Sequence, residues 1–267
     1  MIKQKVALVL STGGAWGIAH IGVIEEIERQ GYEITSISGC SMGALVGAAY
    51  ATGKLQECKD YLATLNIRKI LRLMDFSFWG EGIIKGDRIM RKLGEIVPDM
   101  NIEDLPIPYT AVATNIRNNQ EVIFDHGSLH CAVRASISLP LIFTPFRKDG
   151  MVLIDGGISN PLPLNKVSRS DGDLLIAVIA RAPKNNSPDI ENQSRKYSKL
   201  SILVEASSTM VQKQIQSTIN SYNPDIVIRV QNTGYSLFQF NKSSEFVKAG
   251  NIAAQKAILD YSERQKK

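Results

Sequence analysis

A serine between two glycines is the residue of this chain best suited to covalent chemistry. Residues 39–43 read Gly-Cys-Ser-Met-Gly, with Ser41 between Gly39 and Gly43. The β-branched composition of residues 34–38 predicts a short buried strand, and the Ala-rich residues 44–50 predict a helix. Gly-x-Ser-x-Gly at a strand-to-helix turn is typical of a nucleophile elbow, which exposes the serine hydroxyl beside a helix N-terminus. An ordinary glycine-rich turn can have the same five residues, but the predicted strand before them and the predicted helix after them favour the elbow.

A second glycine-rich turn comes earlier in the chain. Residues 5–10 predict a strand, residues 11–17 read Ser-Thr-Gly-Gly-Ala-Trp-Gly, and residues 18–29 predict a helix. Turns of this kind hold anions, because several backbone N–H groups converge on one point. The anion could be a dinucleotide, a nucleoside triphosphate or the transient oxyanion of an acyl transfer.

The residues around this turn argue against both nucleotides. A dinucleotide site would have glycine at Thr12 and, about 20 residues on, an acidic residue at the end of the second strand, and neither is present. A triphosphate site would continue Gly-Lys-Ser/Thr, whereas Ile18 follows Gly17. An oxyanion next to a serine nucleophile remains, since acyl transfer needs that pairing. We therefore expect the oxyanion hole at the backbone amides of Gly13, Gly14 and Ala15.

An aspartate is the third candidate for a role in catalysis. Asp155 ends the apolar residues 151–154 and is followed by Gly156 and Gly157. Asp-Gly often forms a plain β-turn. However, none of the three histidines follows Asp155, where a Ser-His-Asp hydrolase on an α/β sheet carries its histidine. We therefore expect Asp155 to act directly on the serine. His20 should pack on its helix or brace the glycine-rich loop, and His126 and His130 should be solvated.

Four blocks of the sequence resemble, in order, those of the patatin-like phospholipases. They are the glycine-rich loop with its tail at 17–23, the elbow, Ala-Ser-Ile-Ser-Leu-Pro at 135–140, and Asp-Gly-Gly at 155–157 leading into Asn-Pro-Leu-Pro at 160–163. The likeness covers about residues 5–180. It implies a lipid acyl hydrolase with a Ser41–Asp155 dyad, no cofactor and no metal. It also implies supporting roles for the motif glycines Gly17, Gly39, Gly43, Gly156 and Gly157.

Two positions depart from the family pattern. The family often has glycine at the position of Thr12 and a basic residue at that of Trp16. Because the oxyanion donors are backbone amides, neither change removes them. The missing basic side chain removes any direct help it would give to an anionic substrate.

Composition and pattern predict one α/β domain over residues 1–267, with a mostly parallel sheet covered by helices on both faces. The core motifs lie within 5–180, and 181–267 completes or flanks the same sheet. Further strands are predicted at 109–114, 121–124, 151–155, 174–180 and 225–230, and further helices at 55–73, 86–97, 129–136, 196–217 and 243–261. Residues 74–82, with Phe76, Phe78 and Trp79, are either a loop anchored in the core or a flap over the acyl site.

The expected location is the cytoplasm, with transient contact at a membrane surface. No run approaches the ~20 apolar residues of a membrane span, and the first strand starts too early for a signal peptide. Three cysteines without paired spacing (Cys40, Cys58 and Cys131) suggest free thiols in a reducing compartment. From residue 181 onward, 13 Lys and Arg stand against 7 Asp and Glu, which could favour an anionic membrane or could simply be a solvated helical face.

The predicted function is hydrolysis of a lipid ester, a phospholipid or lysophospholipid, through an acyl-serine. Nucleic acid is not expected as a partner, because no aromatic and basic stripe occurs. Two alternatives stay open: a carboxylesterase or thioesterase without a lipid role, and a binding protein on an idle hydrolase fold. The head group, the acyl position and the oligomeric state are not predicted.

Overall fold

A computed structural model describes residues 3–65, 69, 87–140, 142–182, 199–231 and 239–266. These residues form an eight-stranded sheet and seven α-helices. The strands are β1 (Lys5–Leu10), β2 (Glu33–Cys40), β3 (Tyr109–Asn115), β4 (Gln120–Phe124), β5 (Phe146–Lys148), β6 (Met151–Asp155), β7 (Leu174–Ala182) and β8 (Ile226–Gln231). The helices are α1 (Ala19–Arg29), α2 (Met42–Ala51), α3 (Leu55–Ala63), α4 (Asp87–Gly94), α5 (Leu129–Ser136), α6 (Lys199–Tyr222) and α7 (Ser243–Gln265).

The sheet is mostly parallel, as predicted. Its strand order is β5-β6-β3-β2-β1-β7-β8, and β4 also pairs with β3. Strands β3, β2, β1, β7 and β8 run parallel, while β4 and β6 pair antiparallel with β3 and β5 pairs antiparallel with β6. The carboxyl ends of β1 and β2 therefore lie side by side, the position at which open α/β sheets bind their ligands.

Helices cover both faces of the sheet, which confirms the three-layer prediction. On β1, Val6, Leu8 and Leu10 join the larger core, to which α1, α2, α3, α5 and α7 contribute. Ala7 and Val9 face the smaller core, where α6 contributes Ile215 and Ile219. A strand buried on both faces reads as a continuous apolar run, as residues 5–10 do.

Helices α1 and α7 are in direct backbone contact. A Cβ atom added at Gly22 would lie 1.9 Å from the Val247 carbonyl oxygen, and one added at Gly250 would lie 2.0 Å from the Ala19 carbonyl oxygen. Side chains at these positions would hold the helices apart. The two glycines thus let α7 pack closely against the helix that follows the glycine-rich loop.

Several predicted boundaries were wrong. Helix α3 ends at Ala63 rather than residue 73, because the N–H groups of Thr64 and Leu65 bond back only three residues and close the last turn. Helix α4 ends at Gly94 rather than residue 97. Helix α6 (Lys199–Tyr222) continues past residue 217 to Tyr222, since Ile219 still packs in the core. The predicted aromatic segment at 74–82 lies outside the described residues.

Two further differences concern the short and terminal elements. Strand β5, three residues long, was not predicted, and α7 extends to Gln265 rather than residue 261. Among the described residues, none of the helices combines the length and the apolar character needed to cross a bilayer.

Candidate active site

Ser41 lies in a sharp turn between β2 and α2. Its φ of 56° and ψ of −123° are unusual for a residue with a side chain and mark a strained backbone. A Cβ at Gly39 would lie 2.5 Å from the Gly43 carbonyl oxygen, and a Cβ at Gly43 would lie 2.4 Å from that of Leu10. Both glycines are needed because the backbones of β1, β2 and α2 approach too closely for side chains. The turn therefore has the geometry of a nucleophile elbow.

The structure brings Ser41 and Asp155 into contact, although 113 residues separate them in the sequence. The Ser41 hydroxyl donates to Asp155 Oδ2 at 2.5 Å. The other carboxylate oxygen, Oδ1, accepts the Gly157 N–H at 2.8 Å and lies 3.9 Å from the Cys40 thiol. Asp155 lies at the end of β6, which pairs with β3 next to β2.

The Asp155 carboxyl is nearly dry, with only 2% of the residue exposed. Burial raises its pKa to about 6, against the opposing effect of the hydrogen bonds from Ser41, Gly157 and Cys40. The carboxylate is therefore a stronger base than a solvated aspartate, and it is still mostly ionised at neutral pH. Burial also raises the pKa of the Cys40 thiol, which stays protonated beside Asp155.

The glycine-rich loop packs against both the elbow and the acid block. A Cβ at Gly17 would lie 2.4 Å from Met42 Cβ, and one at Gly157 would lie 3.2 Å from Thr12 Oγ1. The Thr12 N–H donates to the Pro161 carbonyl at 2.9 Å, which ties the loop to the residues after Asp155. All three sequence motifs thus meet at one edge of the sheet.

The predicted oxyanion donors lie in this loop. Gly14 has a φ of 54°, and a 3₁₀ helix runs from Gly14 to Ile18. Within the described part of the chain, the N–H groups of Gly13, Gly14 and Ala15 donate no intramolecular hydrogen bond. Unpaired N–H groups at such a turn suit a transient anion.

Trp16, which stands where the family often has a basic residue, belongs to the core. It is fully buried, and its ring lies 4.6 Å from that of Phe246 between centroids, tilted by 45°. The side chain thus links the loop to α7. It is not available to an anionic substrate in solvent.

The three histidines take no part in the contact between Ser41 and Asp155. His20 is fully buried and its Nε2 donates to the Ser11 carbonyl at 2.9 Å, while burial lowers its pKa to about 4. It therefore braces the start of the glycine-rich loop as a neutral ring. His126 is exposed beside Asp125, as predicted. His130 is partly buried and bonds the Val97 carbonyl, so the prediction that it is solvated was wrong.

Ser136 is a site residue that the sequence reasoning did not single out. Its Oγ accepts the N–H of Ser41 at 2.9 Å and donates to the Val112 carbonyl at 2.7 Å. Two residues on, the Ser138 carbonyl accepts the N–H of Asp155 at 2.9 Å. The only signal in the sequence was the block at 135–140, which resembled the family but suggested no role.

Comparison with known proteins identifies the family to which this site belongs. The family model described as patatin-like phospholipase matches residues 8–167. The chain belongs to the patatin-like phospholipase family, which confirms the family predicted from the four blocks.

Curated relatives agree with this assignment. An uncharacterized NTE family protein of Mycobacterium tuberculosis is 46% identical over 176 residues, which are 66% of this chain and 49% of that protein. The neuropathy target esterase sws of Drosophila persimilis is 35% identical over 167 residues, which are 60% of this chain and 12% of the esterase. The chain thus spans about half the length of the mycobacterial relative that it matches.

A solved structure is also similar. VipD from Legionella pneumophila superposes with a TM-score of 0.48 at 14% sequence identity, covering 97% of this chain and 67% of that one.

Proposed function

We propose that this chain is a serine acyl hydrolase that cleaves carboxylic ester bonds of lipids, with phospholipids or lysophospholipids as the substrate class. The observation that carries the proposal is the 2.5 Å hydrogen bond from the hydroxyl of Ser41, in an elbow turn, to the buried carboxylate of Asp155. Membership of the patatin-like phospholipase family supports lipid esters as the substrates.

In the first half of the reaction, Ser41 Oγ attacks the ester carbonyl carbon while Asp155 Oδ2 accepts the hydroxyl proton. The tetrahedral intermediate collapses, the alcohol leaves with the proton from Asp155, and an acyl-serine remains. In the second half, Asp155 takes a proton from water, which attacks the acyl-serine. The fatty acid leaves and the proton returns to Ser41.

Burial makes Asp155 a better general base for this reaction, because it raises the pKa of the carboxyl group. A solvated aspartate has a pKa near 3.9 and draws a proton weakly from a hydroxyl. The pKa of Asp155, about 6, lies closer to the operating pH, where a general base is most effective. Its hydrogen bond to Ser41 also supplies the alignment that proton transfer needs.

The amides of Gly13, Gly14 and Ala15 stabilise the oxyanion in this proposal. Each donor of this type contributes on the order of 3 kcal/mol in other serine hydrolases. The loop that carries them packs against the elbow, which suits donors to an oxyanion that is absent from the ester and develops as the tetrahedral intermediate forms. The scheme uses side chains and backbone amides alone, and it calls for no cofactor or metal.

The first prediction tests the nucleophile. Ser41→Ala should abolish release of fatty acid from a panel of phospholipids, lysophospholipids and short p-nitrophenyl esters, and should abolish labelling by a fluorophosphonate probe. The circular dichroism spectrum should not change, because only one hydroxyl is removed. A mutant that kept most of its turnover would refute Ser41 as the nucleophile.

The same panel of esters distinguishes a lipid hydrolase from the two alternative functions. Turnover confined to short esters and thioesters would indicate a carboxylesterase or thioesterase. A wild-type chain that neither turns over any ester nor reacts with the probe would indicate a binding protein.

A further inference from the structure

The hydroxyl of Ser136 holds the backbone of the proposed nucleophile. We propose that Ser136 is a positioning residue, which fixes Ser41 in its strained conformation and takes the Ser41 amide out of the oxyanion hole. The inference rests on the proposed function, since it assumes that Ser41 attacks the substrate. Its evidence lies in hydrogen bonds that join β2, β3 and α5.

The first of these bonds reaches the nucleophile directly. Ser136 is fully buried, its Oγ accepts the Ser41 N–H at 2.9 Å, and its own proton goes to the Val112 carbonyl at 2.7 Å. Both directions are fixed, because an amide can only donate and a carbonyl can only accept. A hydroxyl is one of the few small groups that can do both, and an alanine could do neither.

The bridge lies where the hydrogen-bond ladder between β2 and β3 ends. Cys40 and Val112 are the last pair in the register between β2 and β3, and Ser41 follows immediately. At Ser41 the chain leaves the sheet with a φ of 56°, so its N–H can no longer continue the ladder. The Ser136 hydroxyl bridges the gap between the Ser41 amide and the Val112 carbonyl, and so gives the buried amide a hydrogen-bond partner after the ladder has ended.

The same segment also holds the proposed base. The Ser138 carbonyl accepts the Asp155 N–H at 2.9 Å. The segment is itself anchored by Arg134, whose guanidinium donates to Ser138 Oγ at 2.5 Å and to the Thr144 carbonyl at 3.0 Å. Residues 136–138 therefore set the backbone of Ser41 and that of Asp155 relative to one another.

This arrangement has a consequence for the oxyanion. In chymotrypsin-like proteases the amide of the nucleophilic serine itself donates to the oxyanion. Here the Ser41 amide already donates to Ser136 Oγ. The oxyanion must therefore be held by other amides, and those of the glycine-rich loop are the proposed donors.

The test is a pair of matched serine truncations. Ser136→Ala removes the bridge, and Ser38→Ala is the control, because Ser38 is equally buried, lies on β2 and has a hydroxyl without a hydrogen-bond partner among the described residues. We expect Ser136→Ala to lower kcat on a short p-nitrophenyl ester about 10- to 100-fold, as small misplacements of reacting groups do, with KM changed less than about twofold. Ser38→Ala should match the wild type.

A second variant covers the case in which Ser136→Ala fails to fold. Ser136→Cys keeps the size of the side chain and offers only weak hydrogen bonds, so its kcat and its rate of fluorophosphonate labelling should both fall below those of Ser38→Ala. Where both variants fold, kcat should rank wild type, Ser136→Cys, Ser136→Ala in descending order. A folded Ser136 variant with kcat and labelling within about twofold of Ser38→Ala would overturn the positioning role.

The outcome distinguishes this inference from the proposed function. If the wild type turns over ester and Ser41→Ala does not, the proposed function stands whatever the Ser136 variants do. If the wild type neither turns over ester nor reacts with the probe, the proposed function fails and the positioning role fails with it.

Discussion

At the scale of single residues, Asp155 meets two opposing demands. It must be ionised to take a proton from Ser41, yet it is almost completely buried, and burial disfavours the charged form. The hydrogen bonds from Ser41 and Gly157 offset part of that cost. The resulting pKa of about 6 leaves the carboxylate ionised at neutral pH but basic enough to be useful.

A pH dependence follows from this pKa. Because the active form is the carboxylate, kcat/KM should rise as the pH rises through about 6 and should level off above it. Below that value it should fall tenfold per pH unit, since one proton inactivates the base. Initial rates on a short soluble ester between pH 4.5 and 8.5 measure the profile. A rate still level at pH 5 would contradict a base with the raised pKa.

Replacing the proposed base should be as damaging as replacing the nucleophile. Asp155→Asn keeps the shape of the side chain but cannot accept a proton from Ser41, so turnover should be lost as completely as in Ser41→Ala. Alanine at His20, His126 or His130 should not abolish turnover, because none of these rings bonds Ser41 or Asp155 in the described structure. Rates on one ester compare these four variants with Ser41→Ala. A correctly folded but inactive histidine mutant would point to a Ser-His mechanism.

At the scale of elements, the site depends on how closely helices and strands approach. Helix α1 starts directly after the glycine-rich loop, and α7 packs against it at Gly22 and Gly250. The ring contact between Trp16 and Phe246 joins the same two parts of the chain. The conformation of the loop is therefore tied to the packing of a helix near the other end of the sequence.

Enlarging Gly22 should separate these helices. In Gly22→Ala the new methyl group would lie 1.9 Å from the Val247 carbonyl oxygen, and backbone cannot move aside as a flexible side chain can. We expect a loss of about 3 kcal/mol in the free energy of unfolding, at the upper end of overpacking costs. Urea denaturation measures it. Ile252→Ala on α7 is the control, because Ile252 is exposed and should cost no more than about 0.5 kcal/mol. Equal stability of the two variants would contradict the backbone contact.

The sequence predicted the elements near the site better than their remote contacts. The elbow was predictable because Gly39, Ser41 and Gly43 carry their signal within five residues. Strand β5 was missed because three residues show no periodicity. The role of Ser136 was not predictable, since its hydrogen bond to Ser41 joins positions 95 residues apart. Such a contact depends on how α5 lies over the sheet, which no local pattern reports.

At the scale of the whole molecule, the last third of the chain is part of the same sheet. Strand β8 pairs in parallel with β7, which pairs with β1. Helix α6 covers the smaller core, and α7 packs on α1. The family model ends at residue 167, before these elements. We propose that residues 1–267 act as one hydrolase domain, in which residues 181–267 complete the scaffold of the site.

The basic surplus of this last third gives a prediction about the substrate surface. With 13 Lys and Arg against 7 Asp and Glu from residue 181 onward, anionic lipid should attract this part of the molecule. Turnover of a lipid ester should therefore be faster in anionic than in zwitterionic vesicles, and added salt should reduce the difference. Hydrolysis of a short soluble ester is the control and should not respond to the vesicles. Equal rates in both kinds of vesicle would contradict this attraction and would indicate that the basic residues form only a solvated helical face.

The aromatic residues at 76–79 allow a second test of the same surface contact, on sequence grounds alone. If Phe78 and Trp79 present apolar surface to lipid, replacing both with serine removes a contact that only aggregated substrate can make. Activity on micelles should then fall more than activity on a short-chain ester. If the two side chains instead anchor a loop in the core, the change disturbs the whole domain and both activities fall together. The ratio of the two losses therefore decides between a lipid-facing flap and a core contact.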